Sequence, residues 1–394
     1  MSYVRRKKII YVDESLVIGG AEVYLKTLLD GFGTTFDLYL VHRDDRPHRD
    51  FYHGVDAIKM TLPINAYDSS LRLLASYCRI LRVVSADVLH VNLPAPNYGY
   101  AATFAAYLCG VRNVVTTNHL PTLTFPRSVL GVLAGRSLWD WLVLRVVNTI
   151  VTTSIVVSTA SAASLKANYP IDPEKIRCIH NGIDTERFAG VSADTVTALR
   201  REFGVGADDL LVTSVGRLHR QKGYEFLLQS VQTLIKQNIN CTLLLVGDGP
   251  LQGELLQMVH DLGLMDRVVL AGQRNDIPVI LAATDIYVNS SLFEGLPFSI
   301  LEAMAAGLPV IATAVDGNRE LLQYGRTGIL VEAGDSSSLA AALKSLAASR
   351  ELRHDLGIAG QNLVRELFTT ERMLESTGLL YGSGVVCSAG GCAI

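Results

Sequence analysis

The chain of 394 residues is long enough for two or three domains, each with its own hydrophobic core. Its 49% of hydrophobic and 19% of charged residues exclude a disordered protein. Because 35 Lys and Arg stand against 38 Asp and Glu, the chain lacks the basic excess that neutralises phosphates, and we expect no nucleic-acid partner.

The charge is unevenly distributed along the chain. Residues 1–185 carry a net charge of +4, whereas residues 186–394 carry −7. This difference arises either by chance or because two domains have different partners. In the second case, the first domain would face an anionic substrate or an anionic membrane surface.

The cysteines and the N-terminus indicate the compartment. The six cysteines form no CxxC pair and no zinc-binding spacing, which favours free thiols in a reducing environment. The apolar stretch Ile9–Val12 is broken at once by Asp13 and Glu14, so we predict no signal peptide. No run of about 20 continuous apolar residues is present to cross a membrane. We therefore expect a cytoplasmic protein.

Short apolar runs alternate with helical patterns, which is typical of parallel strands joined by crossover helices. In the first half the helices include Ala21–Asp30 and Ser70–Val83. Strands are predicted there at Lys8–Val12, Phe36–Val41, Val88–Val91, Asn113–Thr117, Thr149–Thr153 and Ile176–Ile179. A second series is predicted at Leu210–Val215, Thr242–Val246, Val268–Ala271, Ile286–Val288, Val310–Ile311 and Gly328–Val331.

These series predict an α/β protein with two Rossmann-like, doubly wound domains facing across a cleft. The first domain comprises residues 1–185 and the second residues 210–360, with residues 186–209 as a linker. Residues 382–394, rich in Gly and Ser, are predicted to form a flexible tail. Open parallel sheets bind ligands at the carboxyl ends of their strands, so the loops there are the candidate sites.

Two of these loops have residues that suit a diphosphate. Gly19 and Gly20 follow the first strand and open a helix, where backbone amides can approach an anion, although the pair alone favours a structural turn. Arg217 and Lys222 follow the first strand of the second series and could clamp adjacent phosphates, or could be two solvated charges. The near-fingerprint Gly247-Asp248-Gly249 instead indicates a tight strand-to-helix turn.

The strongest pattern combines two acids with a helix start. Glu294 precedes Gly295, Leu296, Pro297, Phe298 and Ser299, and Glu302 follows in the helix that we expect to begin at Pro297. Free amides at this helix start suit a phosphate, and carboxylates accept hydrogen bonds from sugar hydroxyls.

Together these motifs resemble the retaining glycosyltransferases of family 4, which have the GT-B fold. The resemblance rests on Gly19-Gly20, His180 to Asp184, Gly216 to Gly223, Gly247 to Pro250 and the Glu294–Glu302 block, and it extends to about residue 381. It implies an enzyme that transfers a sugar from a nucleotide-diphosphate sugar to a saccharide or lipid-linked acceptor, in surface polysaccharide or glycolipid biosynthesis.

The resemblance also assigns roles to residues. It implies that Arg217 and Lys222 bind the diphosphate, with Gly20 and Gly19 beside it, while Glu302 binds the ribose and Glu294 the transferred sugar. The amides of Gly295, Leu296, Pro297, Phe298 and Ser299 would lie at the sugar and phosphate, and the loop Gly272–Asp276, which contains Arg274, would hold the base. Because Pro has no N–H, residue 297 could contribute only through its position.

His119 matches the histidine that the family places near the donor sugar, although a lone histidine after a strand is often structural. The implied reaction passes through an oxocarbenium-like state, with the departing diphosphate stabilised by Arg217 and Lys222. No DxD-like pair stands in the candidate loops, so we expect neither a metal nor another cofactor. The helix 361–381 matches the family segment that returns to the first domain.

Two basic segments of the first half suggest attachment to an anionic membrane surface. Helix Ser70–Val83 carries three arginines and no acid, and segment Phe125–Val147 combines three arginines with Trp139 and Trp141. Ordinary helices with solvated arginines remain the alternative. Other functions also remain: a sugar-nucleotide 2-epimerase of the same fold, which the Glu294–Glu302 pair disfavours, and a non-catalytic nucleotide-sugar-binding subunit, which would have no need of His119 and Glu294.

Overall fold

A computed structural model describes residues 5–64, 70–94, 99–120, 136–206, 209–322 and 326–382. The chain divides into two compact units. The first contains residues 1–181 and 370–394, and the second contains residues 182–369. No helix within the described ranges is both long enough and apolar enough to cross a membrane.

The first unit is built on a parallel sheet of seven strands in the order β3-β2-β1-β4-β5-β6-β7. Its strands are β1 (Lys8–Asp13), β2 (Asp37–Arg43), β3 (Ile58–Ile64), β4 (Val88–Leu93), β5 (Asn113–Asn118), β6 (Thr153–Val156) and β7 (Ile176–Cys178). Its helices before residue 181 are α1 (Gly20–Phe32), α2 (Arg46–Tyr52), α3 (Ser70–Val84), α4 (Tyr100–Leu108), α5 (Arg136–Ile150) and α6 (Thr159–Asn168).

The second unit is built on a parallel sheet of six strands in the order β10-β9-β8-β11-β12-β13. Its strands are β8 (Leu210–Val215), β9 (Cys241–Val246), β10 (Val268–Gly272), β11 (Ile286–Asn289), β12 (Val310–Thr313) and β13 (Ile329–Val331). Its helices are α7 (Ala193–Glu202), α8 (Tyr224–Lys236), α9 (Gln252–Asp261), α10 (Ile277–Ala283), α11 (Phe298–Ala305), α12 (Asp316–Leu322), α13 (Ser336–Ala348) and α14 (Arg350–Leu367). Helix α15 (Thr370–Leu380) belongs to the first unit.

Burial on both faces explains why the strands are continuous apolar runs. Every residue of β9 is buried, and Leu243 and Leu245 lie in the same core as Leu228 and Val231 of α8. The buried residues of α8 recur at helical spacing, so one stripe of the helix covers the sheet. The same two-sided burial holds for β4 in the first unit.

The strand orders place the ligand-binding edge of each sheet. In both sheets the order reverses beside the first strand, between β1 and β4 and between β8 and β11. Loops that leave the carboxyl ends of these strands open a crevice in doubly wound sheets. The residues after β1, β4, β8 and β11 are therefore positioned for function.

The prediction of two Rossmann-like α/β domains is confirmed. Two strand predictions differ from the structure. Residues 149–150 end α5 and the strand begins at Thr153, because the apolar pattern of the helix runs into that of β6. The edge strand β3 was missed, since its exposed residues and Pro63 weaken the strand pattern.

The predicted domain limits also differ from the observed units. The first unit ends at Asn181, and residues 186–209, predicted as a linker, belong to the second unit. Helix α7 lies in this segment, and its Arg200 donates to the carbonyl of Ala283 at 2.9 Å and to Asp285 at 3.0 Å. Parts of two helices occupy the segment 361–381, which was predicted as one helix. Helix α14 ends at Leu367 and α15 begins at Thr370. The predicted tail, residues 382–394, lies outside the described residues except for Gly382.

Candidate active site

The loop after β8 turns sharply at Gly223. A single turn of 3₁₀ helix, Arg220–Lys222, precedes this glycine, whose φ is +57°. A Cβ at this position would lie 2.4 Å from the carbonyl oxygen of Ser290. Glycine is therefore required both for the left-handed backbone and for the close approach of the loop after β11.

Backbone and side-chain hydrogen bonds join the loops after β8 and β11. The Ser290 hydroxyl donates to the Lys222 carbonyl at 2.8 Å, and the Leu292 amide donates to the Gln221 carbonyl at 2.7 Å. The Gln221 side chain donates to the Phe293 carbonyl at 3.0 Å. These contacts fix Lys222 beside the acidic residue that follows.

Glu294 is the centre of this site and is 5% exposed. Its Oε1 accepts hydrogen bonds from Lys222 Nζ at 2.6 Å and from the Ser291 hydroxyl at 2.7 Å, and Asn289 lies at 3.5 Å. Oε2 accepts no hydrogen bond from the residues that the structure describes. The carboxylate is thus anchored by one oxygen and can offer the other to a hydroxyl group.

Glu302 lies one turn into α11 and is half-buried. Burial raises the pKa of its carboxyl to about 7, and the positive charge of Arg187 opposes part of this rise. Glu302 therefore differs from Glu294, whose charge is balanced by a lysine in direct contact. A carboxyl with this pKa changes protonation near neutral pH.

Helix α11 begins one residue later than predicted. Pro297 is its N-cap and Phe298 its first residue, so the amides of the first turn belong to Phe298, Ser299 and Ile300. No side chain caps this terminus. The first amides of a helix have no partner within the helix, so these groups can bind an anion.

A second glycine shapes this region from α12. A Cβ on Gly317 would lie 1.9 Å from the carbonyl oxygen of Gly295. The first turn of α12 therefore packs directly against the Gly295 backbone. Asn318 adds to the contact by donating to Asn289 Oδ1 at 3.2 Å and to the Thr313 carbonyl at 3.0 Å.

The two predicted arginines of this unit have different surroundings. Arg217 is half-buried and makes no hydrogen bond or ion pair among the described residues, which leaves its guanidinium for a ligand. Arg274 instead donates to Glu202 at 2.7 Å and to Asp276 at 2.7 Å. The Arg274 side chain is therefore occupied by these two carboxylates.

The Gly247–Gly249 turn has a structural role in this unit. A Cβ on Gly247 would lie 2.1 Å from the Gly216 carbonyl oxygen, and one on Gly249 would lie 2.4 Å from that of Leu218. The Leu218 amide also donates to the Asp248 carbonyl at 2.9 Å. These glycines let the loops after β8 and β9 touch, in agreement with the predicted tight turn.

In the first unit, Gly19 is the N-cap of α1 and Gly20 its first residue. The Gly19 amide donates to Glu22 Oε2 at 2.6 Å. Glu22 is 2% exposed, and its burial, together with the nearby charge of Asp13, raises the pKa of its carboxyl to about 7. The acid therefore fixes the glycine pair at the start of the helix.

His119 directly follows β5 and is 7% exposed. Its Nε2 lies 2.8 Å from Asn92 Oδ1, and its ring meets the Tyr24 ring edge-on at 5.0 Å. Burial lowers the pKa of this imidazole to about 3, so it is neutral at physiological pH. Asn92 also donates to the Ala21 carbonyl at 3.0 Å, which joins the end of β4 to the start of α1.

A Ser–His–Asp arrangement near β1 resembles a nucleophilic triad. His48 lies 2.6 Å from Asp45 through Nδ1 and 3.2 Å from the Ser15 hydroxyl through Nε2. However, the Ser15 hydroxyl donates to Asp13 at 2.7 Å, and Ser15 is only 2% exposed. The hydroxyl proton of Ser15 is therefore donated to the Asp13 carboxylate, and the cluster stabilises the loop that leads to Gly19.

Three residues that contact the predicted His119 and Glu294 were not among the predicted site residues: Asn92, Ser291 and Asn289. All three lie at or just after the carboxyl end of a buried strand. A polar residue that ends an apolar run in a parallel sheet is the signal that could have identified them. Gly317 gives no such signal, because its close contact with Gly295 depends on tertiary packing.

Models of two families match the chain. Residues 18–187 match the model described as Glycosyltransferase Family 4, and residues 209–349 match the one described as Glycosyl transferases group 1. The matched regions contain all of the predicted site residues discussed above.

Relatives of known sequence match over most of the chain. It is 30% identical over 316 residues to the UDP-Gal:alpha-D-GlcNAc-diphosphoundecaprenol alpha-1,3-galactosyltransferase of Escherichia coli, covering 78% of this chain and 79% of the relative. It is 26% identical over 349 residues to the N-acetylgalactosamine-N,N'-diacetylbacillosaminyl-diphospho-undecaprenol 4-alpha-N-acetylgalactosaminyltransferase of Campylobacter jejuni, covering 86% and 90%.

Among solved structures, the Anabaena protein HepE in complex with UDP and glucose superposes with a TM-score of 0.81. The match covers 96% of this chain and 100% of HepE, at 23% sequence identity. At this identity the likeness establishes the fold.

Proposed function

Because this chain belongs to glycosyltransferase family 4 and is a glycosyltransferase, we propose that it transfers a hexosyl group from a UDP-sugar to a sugar hydroxyl on a lipid diphosphate. The Escherichia coli and Campylobacter jejuni relatives are named for acceptors of this chemical class. HepE, which has the same fold, binds UDP. The product would enter a surface polysaccharide or glycolipid.

The observation that carries this proposal is the pairing of the loops after β8 and β11. Their hydrogen bonds bring Lys222 within 2.6 Å of Glu294, and Arg217 lies on the same loop as Lys222. Two cations and the amides of α11 suit a diphosphate. The free oxygen of Glu294 suits a sugar hydroxyl.

We propose a reaction that retains the anomeric configuration. The bond between the anomeric carbon and the diphosphate oxygen breaks, and a bond to the acceptor oxygen forms on the same face of the sugar. The acceptor's hydroxyl proton passes to the departing diphosphate. Arg217, Lys222 and the first amides of α11 stabilise the negative charge that develops on this leaving group.

The proposal includes no metal ion or other cofactor. Arg217 and the ammonium of Lys222 supply positive charge at the site, and the Lys222 ammonium has two N–H donors beyond the one given to Glu294. Transfer should therefore persist when divalent cations are removed with EDTA. Loss of turnover in EDTA that returns with Mg²⁺ or Mn²⁺ would contradict this part of the proposal.

The donor is tested with a panel of UDP-, GDP- and ADP-sugars. Bound ligand stabilises the protein by RT ln(1 + [L]/Kd), so a tight donor should raise the melting temperature. We expect a UDP-sugar to produce this rise and to react with a synthetic sugar-diphosphate-polyprenol, giving a product with the donor's anomeric configuration. A response to GDP-sugars alone, or an inverted product, would contradict the proposed donor or stereochemistry.

We also propose that the first unit attaches to an anionic membrane through the surface of α3 and α4. On α3, Leu71 is 78% and Val83 74% exposed, beside three exposed arginines and no acid. On α4, Tyr107 and Leu108 are 67% and 58% exposed. Exposed apolar side chains among arginines suit an anionic lipid surface. Most of the segment 125–147 lies outside the residues with described side chains.

Sedimentation with vesicles tests the membrane proposal. Vesicles that contain phosphatidylglycerol should sediment the protein, and pure phosphatidylcholine vesicles should not. Replacing the three α3 arginines, Arg72, Arg79 and Arg82, with Gln should abolish binding. The matched control replaces Arg201, Arg350 and Arg365, which are exposed in the second unit and change the net charge equally. Equal loss in both variants would indicate a general charge effect and contradict the proposed surface.

A further inference from the structure

The strand end of β4 holds a buried amide whose orientation is fixed by its two partners. Asn92 is 1% exposed, and its Nδ2 donates to the Ala21 carbonyl at 3.0 Å. A backbone carbonyl can only accept, so the amide nitrogen must face Ala21. The amide oxygen of Asn92 therefore faces the imidazole of His119, at 2.8 Å from Nε2.

This orientation determines which nitrogen of His119 carries the proton. An amide oxygen can only accept a hydrogen bond, so Nε2 must be the protonated nitrogen. Burial lowers the pKa of the imidazole to about 3, and the ring therefore carries one proton at neutral pH. Nδ1 is left with a lone pair and has no hydrogen-bond partner among the described residues.

We propose that Asn92 is a positioning residue that holds His119 as the Nε2-protonated tautomer, so that Nδ1 accepts a hydrogen bond from a hydroxyl group of the bound sugar. This inference rests on the proposed function and defines the chemistry of one contact in it. The group opposite Nδ1 must be a hydrogen-bond donor, because an unprotonated imidazole nitrogen can only accept.

Tyr24 reinforces the orientation without changing the protonation. Its ring contacts His119 edge-on, with the planes at 74°, and so limits rotation of the imidazole. Tyr24 is fully buried, and its hydroxyl accepts a weak hydrogen bond from Thr117 at 3.4 Å. Asn92 is thus the residue that selects the tautomer, while Tyr24 confines the plane of the ring.

The tautomer can be measured directly on the free protein by ¹H–¹⁵N correlation of labelled histidine. We expect His119 to be a neutral imidazole with the proton on Nε2. His90 provides an internal reference, because it is also buried, and burial together with the charge of His119 lowers its pKa to about 3. A wild-type spectrum with His119 protonated on Nδ1, or on both nitrogens at neutral pH, would overturn the proposal even if no variant folds.

Two substitutions separate positioning from a general structural role. Asn92→Leu removes the acceptor, so the His119 resonances should lose the fixed tautomer while those of His90 remain. Asn92→Asp keeps an acceptor but adds a negative charge, and His119 should then become doubly protonated at neutral pH. In each variant kcat should fall about 3- to 10-fold, the scale of one hydrogen bond, with a smaller change in KM for the donor.

The matched control is Asn118→Leu. Asn118 is also buried at a strand end, but its side chain donates to the Thr116 hydroxyl and the Ile155 carbonyl and, among the described residues, makes no hydrogen bond to the imidazole. This variant should keep the His119 tautomer. An Asn92→Leu spectrum unchanged from wild type would contradict the assignment.

The outcomes distinguish this inference from the proposed function. If transfer occurs but the other tautomer is found, the role of Asn92 is wrong and the proposed function stands. If the tautomer is as assigned but no nucleotide sugar is bound or turned over, the proposed function is wrong, and with it the sugar contact of Nδ1.

Discussion

The buried titratable groups at the strand ends of the two units differ in whether an oppositely charged partner balances them. After β8 and β11, Lys222 and Glu294 lie 2.6 Å apart and balance each other's charge. After β1 and β5, Glu22 and His119 have no such charged partner. Burial therefore raises the pKa of Glu22 to about 7, with Asp13 adding to the rise, and lowers the pKa of His119 to about 3.

The difference follows from the cost of burying a charge. An ion in a site of low dielectric is stable only when an opposite charge or several hydrogen bonds replace its water. A group without that compensation takes its neutral form instead. The second unit thus presents the Lys222–Glu294 ion pair, which suits an ionic diphosphate, and the first presents His119 as a neutral imidazole, which suits hydroxyl chemistry.

The largest expected effect comes from breaking the ion pair. Glu294→Gln should lower turnover by about 10²- to 10³-fold, because it removes a charged contact in the site. It should also destabilise the protein, since Lys222 loses its partner. Turnover and urea unfolding measure these effects, with Glu332→Gln at an exposed position as the control.

The double variant Glu294→Gln with Lys222→Met sharpens this test. Removing both partners should restore part of the stability lost in Glu294→Gln, with a coupling of about 1–3 kcal/mol in the free energy of unfolding. Turnover should remain low. Additive losses in the double-mutant cycle would show that the pair is not energetically linked.

A glycine pair tests the packing behind the charged site. Gly317→Ala places a Cβ within 1.9 Å of the Gly295 oxygen and should lower the free energy of unfolding by about 3 kcal/mol through overpacking. Gly253 is likewise the second residue of a helix, but a Cβ there meets nothing within 4 Å. Gly253→Ala should therefore stabilise the protein by about 0.5 kcal/mol. Equal effects in urea unfolding would refute the packing argument.

Acid should destabilise the first unit through its neutral histidines. Burial lowers the pKa of both His90 and His119 to about 3, with their mutual repulsion adding to the shift of His90, whereas the unfolded value is 6.5. The unfolded chain binds more protons at these two histidines between these values, so their contribution to stability falls as pH drops below 6.5, by about 2.6 kcal/mol per pH unit for the pair near pH 5. Glu22 and Glu302, whose folded pKa values are raised to about 7, oppose this fall in the wild-type protein.

Unfolding in urea at several pH values measures this slope. His119→Gln keeps a donor for Asn92 but cannot titrate, and it should lower the dependence of stability on pH near pH 5 by about 1.3 kcal/mol per pH unit, the contribution of one histidine. His260→Gln, at an exposed histidine, is the control. A slope that is the same in all three proteins would mean that His119 is not held neutral by burial.

The smallest effect is expected at Glu302, which has no charged partner in direct contact. Its folded pKa of about 7 lies above the ordinary value of 4.5, so the stabilising contribution present at low pH is lost as pH rises toward 7. Glu302→Gln should therefore raise the free energy of unfolding by about 1 kcal/mol near pH 8 and have little effect near pH 4. Exposed Glu254 provides the control substitution, Glu254→Gln, and equal shifts in both variants would count against the burial of Glu302.

Much of this arrangement could be predicted from local patterns. The apolar runs of β8 to β13 and the glycine before α1 have signatures that depend on neighbouring residues alone. Edge strand β3 could not be predicted in this way, because its pairing with β2 compensates for a weak pattern. The segment 186–209 was misjudged for a related reason: α7 is amphipathic but polar overall, and its place in the second unit depends on the contacts of Arg200.

The sequence by itself determined two parallel α/β sheets and which loops carry charged and glycine residues, because burial on both sheet faces and helix starts have short-range signatures. Tertiary structure decided that Glu294 is anchored through Oε1 by Lys222 and Ser291, and that Asn92 faces His119. These contacts join strand ends that are far apart in the chain. Their chemistry depends on which groups share a water-poor site, and only the folded chain brings those groups together.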